Sequence, residues 1–126
     1  MNAKHILQIA AILGAIAVGV GAFGAHGLNE LLTQNGRLDT FETAVKYHFY
    51  HSLALLLVGI LAQTKPSYQR GMSFSAINFI IGIVIFSGSL YLLSISGITW
   101  LGAITPLGGV AFIFGWIGIF WTVKRR

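Results

Sequence analysis

The chain has 126 residues, of which 56% are hydrophobic and 9% charged, where a soluble domain carries roughly 25% charged residues. So few charges cannot cover a folded surface in water without leaving large apolar patches, so a water-soluble globule is excluded and lipid is the solvent the composition fits. Eight Lys and Arg against three acids give a formal charge of +5, yet the basic residues punctuate apolar runs rather than forming a patch, so nucleic acid is not an expected partner. Cysteine is absent, which leaves no disulfide, thiolate nucleophile, Cys-type zinc or iron–sulfur site, or c-type haem attachment.

A membrane-crossing helix needs about 20 mostly apolar residues, and residues 6–25, 44–62, 74–93 and 100–123 provide four such stretches. Runs such as Leu53-Ala54-Leu55-Leu56-Leu57-Val58 do not alternate in polarity as barrel strands do. The expected fold class is therefore all-α: a four-helix transmembrane bundle, one integral membrane domain over residues 1–126. The first span imitates a signal peptide, with Lys4 before it and Ala22-Phe23-Gly24 near its end. Its apolar stretch exceeds the roughly 7–15 residues of a signal core, and it carries a stripe of small residues, so it is read as a span. After it, Leu28, Leu31 and Leu32 fall at i, i+3, i+4 and Asn35-Gly36 makes a stop, predicting a short amphipathic interfacial segment between helices 1 and 2. Asp39-Thr40-Phe41-Glu42 reads as a capping box that starts the second helix near Thr40. Gln63, Thr64, Lys65 and Pro66 end it. Thr105-Pro106 falls in the first turns of the fourth span, where Pro is tolerated; the alternative there is a kink with Gly108-Gly109.

Six basic residues, Lys4, Lys65, Arg70, Lys124, Arg125 and Arg126, share one side with both termini. Arg37 and Lys46 lie opposite, among Glu30, Asp39 and Glu42. The positive-inside rule then puts both termini in the cytoplasm of a multi-pass protein of the cell (inner or plasma) membrane. Within lipid, helices associate through close packing of small residues. Ala10, Gly14, Ala17, Gly21 and Gly24 recur at spacings of four, three, four and three, one seam at the coiled-coil period. Gly82, Gly102, Gly108, Gly109, Gly115 and Gly118 are read as bundle contacts, with pocket lining as the alternative. Tyr68, Tyr91, Trp100, Trp116 and Trp121 read as interfacial belts, although Trp116 is deep for that role. Asn78 reads as a helix-to-helix hydrogen bond.

The stretch from Phe41 to His51 carries the chemistry. At about 100° per residue, Glu42, Lys46, Phe49 and Tyr50 share one face and Tyr47, His48 and His51 the other. His26 emerges from the first span on the same side of the membrane, and Tyr91, Ser94 and Thr105 reach that level. Ionisable groups at membrane depth are costly and mark functional sites, so His26, Glu42, Lys46, His48, His51, Tyr91 and Thr105 form a candidate outer-side ligand-binding cluster. A structural reading stands beside it, in which Glu42 caps, Lys46 pairs with Glu42 and the imidazoles satisfy loop carbonyls. His48 and His51 at i, i+3, with His26 as a third nitrogen, are a weak metal pattern. HExxH, GxSxG and a P-loop are absent, so no metal, cofactor or catalytic residue is assigned.

Four blocks, Gly21-Ala22-Phe23-Gly24-Ala25-His26-Gly27-Leu28, Phe41-Glu42-Thr43-Ala44-Val45-Lys46-Tyr47-His48-Phe49-Tyr50-His51-Ser52-Leu53-Ala54, Phe86-Ser87-Gly88-Ser89-Leu90-Tyr91 and Trp100-Leu101-Gly102-Ala103-Ile104-Thr105-Pro106-Leu107-Gly108-Gly109, resemble the signatures of the YgdD/YwdK-type family. This is a domain-of-unknown-function family of small bacterial inner-membrane proteins. The resemblance runs nearly end to end and implies a four-helix integral membrane protein without an established activity, so no catalytic residue is carried over. The expected function is a non-enzymatic membrane protein that binds a ligand, lipid or partner, with a homo-oligomer as one form it can take. The alternative is an oligomeric small-molecule transporter or proton-coupled channel with His51, His48 and Glu42 as relay groups, although the opposite half of the bundle offers only Asn78, Ser75 and Gln8. An enzyme would need an activated nucleophile that the sequence does not provide.

The native chain lacks Cys, so single cysteines report the topology directly. An impermeant maleimide should label Gln34→Cys in intact cells and Lys65→Cys only after permeabilisation. Labelling at 65 with none at 34 would reverse the orientation.

Overall fold

The computed structural model describes residues 1–125; Arg126, counted above among the basic residues of the terminal side, lies outside them. Helix α1 (Ala3–His26) starts where the Asn2 side chain accepts the His5 amide at 2.9 Å, an N-cap that satisfies one of the open first-turn donors. It is followed by the short α2 (Asn29–Gln34) and the long α3 (Leu38–Thr64). The third span is one continuous rod made of a 3-10 turn (Pro66–Tyr68), α4 (Gln69–Gly82), a π turn (Ile83–Ser87) and α5 (Gly88–Ser96). A second 3-10 turn (Thr99–Ala103) leads into α6 (Thr105–Arg125), with Pro106 in its first turn. The four rods are long and apolar enough to cross a membrane.

The rods outrun their apolar windows. The third begins at Pro66 rather than near residue 74, because hydropathy marks which residues meet hydrocarbon and not where a helix must stop. Pro66 sits in the first turn, where a missing amide leaves nothing unpaired. The expected capping box at Asp39 and Glu42 does not form. Instead α2 ends with Gly36 at φ +65, its amide on the Thr33 carbonyl at 3.1 Å and the Arg37 amide on the Leu32 carbonyl at 2.9 Å. This is the Schellman pattern, which glycine satisfies without strain. It delivers Arg37 as the residue preceding α3, with no side-chain cap. Asp39 therefore falls inside the first turn, where its charge faces the positive helix end.

The apolar surface sets this bundle apart from a soluble domain, while the core itself stays mainly apolar. Val84 and Leu107 are each 64% exposed, whereas Ser75, Ser87 and Ser94 are 0% exposed. Such an exterior suits lipid, and inside it the Ser87 and Ser94 hydroxyls bond to helix carbonyls while that of Ser75 has no partner. α3 lies between α1 and the third rod, and α6 packs on α4 and the π turn. The chain ends of neighbouring rods alternate, with Gly59 of α3 against Leu7 near the start of α1 and Gly24 near its end against the Phe41 ring. Along this contact Ala10, Ala17 and Gly24 are buried and Gly14 and Gly21 half-buried. A Cβ on Gly21 would sit 3.1 Å from Val45 Cγ1, and one on Gly14 would sit 4.0 Å from Ser52 Cβ.

The α4–α6 contact is built from reciprocal glycines. Gly82 of α4 receives the Phe112 ring of α6, while Gly115 and Gly118 of α6 receive Phe79 and Phe74. Gly108 faces the Phe86 backbone itself. Where the neighbour is backbone rather than a movable side chain, an added methyl forces the helices apart. Gly108→Ala should therefore lower stability by about 1–3 kcal/mol. Gly19 has nothing within 4 Å, so Gly19→Ala should be neutral or gain up to about 1 kcal/mol from helix propensity. Thermal unfolding in detergent compares the two, and equal effects would mean that the α6 contact is looser than described.

Candidate functional site

His51 lies thirteen residues from either end of α3, about 20 Å along the axis, which is the middle of the bundle. Its Nε2 accepts the Trp116 indole N–H at 3.1 Å, and its Nδ1 lies 2.8 Å from the Tyr47 carbonyl. An accepting Nε2 carries no proton, so Nδ1–H is the donor to Tyr47 and one neutral tautomer is fixed. The ring stacks on Phe112 at 3.6 Å between centroids. One turn earlier, His48 Nδ1 lies 2.8 Å from the Tyr91 hydroxyl of α5. Its Nε2 is buried with no hydrogen-bond partner, beside the Leu13 backbone of α1.

The structure divides the expected cluster. His48 and His51 are buried and Tyr91 half-buried, whereas His26 at the end of α1 and Glu42 and Lys46 near the start of α3 are exposed. Because Gly24 sits against Phe41, His26 is level with the first turns of α3, some ten residues or about 15 Å from His51. Glu42 and Lys46 border a groove of about 240 Å³ between α1 and α3, and among the described residues no ion pair links them. Thr105 belongs to neither group: its hydroxyl lies 2.6 Å from that of Ser89. Asn78 bonds to the Phe74 carbonyl of its own helix at 2.9 Å rather than to a neighbour. Tyr68 is buried in the core instead of lying in an interfacial belt. Among the described residues no three His, Asp or Glu side chains gather closely enough to hold a metal ion.

Trp116 is the functional partner that pattern reading did not assign. A tryptophan mid-span carries an N–H that hydrocarbon cannot satisfy, and that was the available signal. A second feature also escaped the sequence. Where α4 begins and α6 ends, a cleft of about 380 Å³ opens between them, with Gly71, Gly118 and Thr122 as its floor and Phe74, Phe114, Ile117 and Trp121 as its walls. Ser67, Arg70 and Arg125 complete the lining at the chain-end side. Starting the third helix at residue 74 leaves Arg70 in a loop and hides this alignment; a start at Pro66 puts residues 67, 70, 71 and 74 on one helical stripe.

Four rods long and apolar enough to span a bilayer, with large apolar side chains on the outside, define a helical integral membrane protein. Residues 20–109 match the family described as Protein of unknown function (DUF423), and the chain belongs to that family. It is 50% identical over 116 residues to the UPF0382 membrane protein YwdK of Bacillus subtilis (strain 168), covering 92% of this chain and 93% of the relative. A UPF0382 membrane protein of Staphylococcus aureus (strain bovine RF122 / ET3-1) is 44% identical over 114 residues, 90% of each chain. One from Haemophilus influenzae (strain ATCC 51907 / DSM 11121 / KW20 / Rd) is 36% identical over 113 residues, 90% of this chain and 88% of the relative. No solved structure matches the chain.

Interhelical hydrogen bonds in membranes average roughly 0.6 kcal/mol and reach about 1.7. Trp116→Phe, which leaves Nε2 of His51 buried without its donor, should sit at the upper end of that range. In a double-mutant cycle with His51→Leu, measured by denaturation in detergent, the two substitutions should be less than additive. Strict additivity would show that the indole and imidazole do not interact.

Proposed function

We propose that the protein is a non-enzymatic binding protein of the cell membrane, with both termini cytoplasmic, and that its ligand is a membrane lipid held in the cleft between α4 and α6. The cleft carries this reading. Its walls are the Phe74, Phe114 and Trp121 rings and the Ile117 side chain, and its floor is glycine and threonine, a shape that admits an acyl chain. Lys4, Lys65, Arg70, Lys124 and Arg125 stand at one end of the bundle and Glu30, Asp39 and Glu42 at the other, which supports the orientation.

Transport has less support. Both ring nitrogens of His51 are engaged and its neighbours Phe79, Phe112 and Trp116 are aromatic, so a relay through it has no polar continuation on that side.

Native mass spectrometry of the protein released from membranes tests the lipid reading. Wild type should retain one phospholipid per chain. Ser67→Trp with Ile117→Phe, two substitutions at exposed lining positions, should lose that adduct without losing the fold. Equal retention by the plugged variant would exclude this cleft as the site.

A further inference from the structure

The cleft has a direction. Phe74 and Phe114 line its deep part, and Arg70 and Arg125, both exposed, line it toward the chain-end side. On α6, Phe114 to Arg125 covers eleven residues, about 16 Å of helix axis. That is close to half of the roughly 30 Å hydrocarbon core, so the apolar part of the cleft is one leaflet deep. The two guanidiniums then fall where a phospholipid headgroup sits.

Charge decides which headgroup. All three acidic side chains of the protein, Glu30, Asp39 and Glu42, belong to the opposite end of the bundle. Arg70 and Arg125 therefore have no Asp or Glu at their own end, and Lys65 and Lys124 add to the same field. Lys124 Nζ and the Arg125 guanidinium stand 5.0 and 5.8 Å from the Trp121 ring that walls the cleft, which keeps this cationic edge beside the opening rather than dispersed in water. Guanidinium groups bind phosphate through paired N–H donors, and Ser67 supplies a hydroxyl on the same lining.

From this we infer that the cleft is a specific site for an anionic phospholipid of the cytoplasmic leaflet, its phosphate held by Arg70 and Arg125 and one acyl chain lying along Phe74, Phe114, Ile117 and Trp121. The inference rests on the lipid-binding reading above and adds the headgroup class and its two ligating residues.

The test uses the full-length protein in detergent, titrated by native mass spectrometry with phosphatidylglycerol or phosphatidylcholine. Phosphatidylglycerol should bind at one per chain and roughly tenfold more tightly than phosphatidylcholine, an effect of the size expected for juxtamembrane basic residues. Arg70→Gln with Arg125→Gln should weaken phosphatidylglycerol much more than phosphatidylcholine, which shares the phosphate but is net neutral, so that the two lipids bind alike, and should leave the unfolding temperature unchanged. Lys65→Gln with Lys124→Gln, which removes the same charge from the same end, should have a clearly smaller effect, and excess inorganic phosphate should not displace the lipid. Equal binding of the two lipids, both lost in the plugged variant, would overturn the headgroup assignment and leave the cleft a neutral lipid site. An equal loss in the lysine pair would reduce it to general attraction to a basic edge. Displacement by inorganic phosphate would make it a phosphate site instead of a lipid site. Binding of neither lipid would overturn both readings together.

Discussion

A donor or acceptor in the middle of a bilayer has no water to turn to, so each must be satisfied within the protein or lose several kcal/mol. The arrangement of this bundle follows from that. Hydroxyls in the spans return to carbonyls of their own helix four residues back, as Ser52 does to His48, Ser94 to Leu90 and Thr122 to Gly118. Ser87 crosses to the Ala44 carbonyl at 2.7 Å. The open end of α5 is closed by Asn35, whose amide reaches the Ser94 and Ile95 carbonyls, and this holds α2 over the third rod. His51 is the most demanding case, because both of its nitrogens need partners, and it draws one from its own helix and one from α6. Among the described residues, His48 Nε2 and the Ser75 hydroxyl are the buried side-chain atoms left without partners.

Close backbone approach is the second determinant. Lipid competes equally for large apolar side chains, so contact is gained where glycine removes a side chain and a ring fills its place. The α4–α6 pair does this in both directions, and the cleft lies along the same pair. Gly71 and Gly118 bring the helices together at its floor while Phe74, Phe114 and Trp121 stand out on either side. The packing that joins the two helices thus also leaves a furrow beside them.

Much of this was written in the sequence at the level of spans. Apolar length gave the four rods, Asn35-Gly36 marked the end of α2, and the spacing of Ala10, Gly14, Ala17, Gly21 and Gly24 picked out residues that the fold sets along α3. Helix ends were less legible, because composition reports depth in lipid while local geometry decides where a helix starts; the Schellman turn at Gly36 overrode Asp39. The candidate cluster was the least legible part. Residues near one another along the chain, such as Lys46 and His48, point to opposite sides of α3. The partners that matter, Tyr91 for His48 and Trp116 for His51, lie 43 and 65 positions away, a pairing no local pattern encodes.

The π turn in the third rod has a consequence for how the two ends of that rod are used. Between Ile83 and Gly88 the backbone bond spans five residues instead of four, so the rod contains one residue more than a uniform α-helix of the same winding would. Every side chain after it is offset by about 100° in phase from where an unbroken helix would carry it. Before the offset, α4 packs on α6 and α3; after it, α5 packs on α3, through Tyr91, and on α2 through its closed end. A single rod thus serves two sets of neighbours. The vulnerable change there is one of length rather than identity, since deletion of a single residue between 83 and 87 would leave every side chain chemically intact and turn half of them toward the wrong helix.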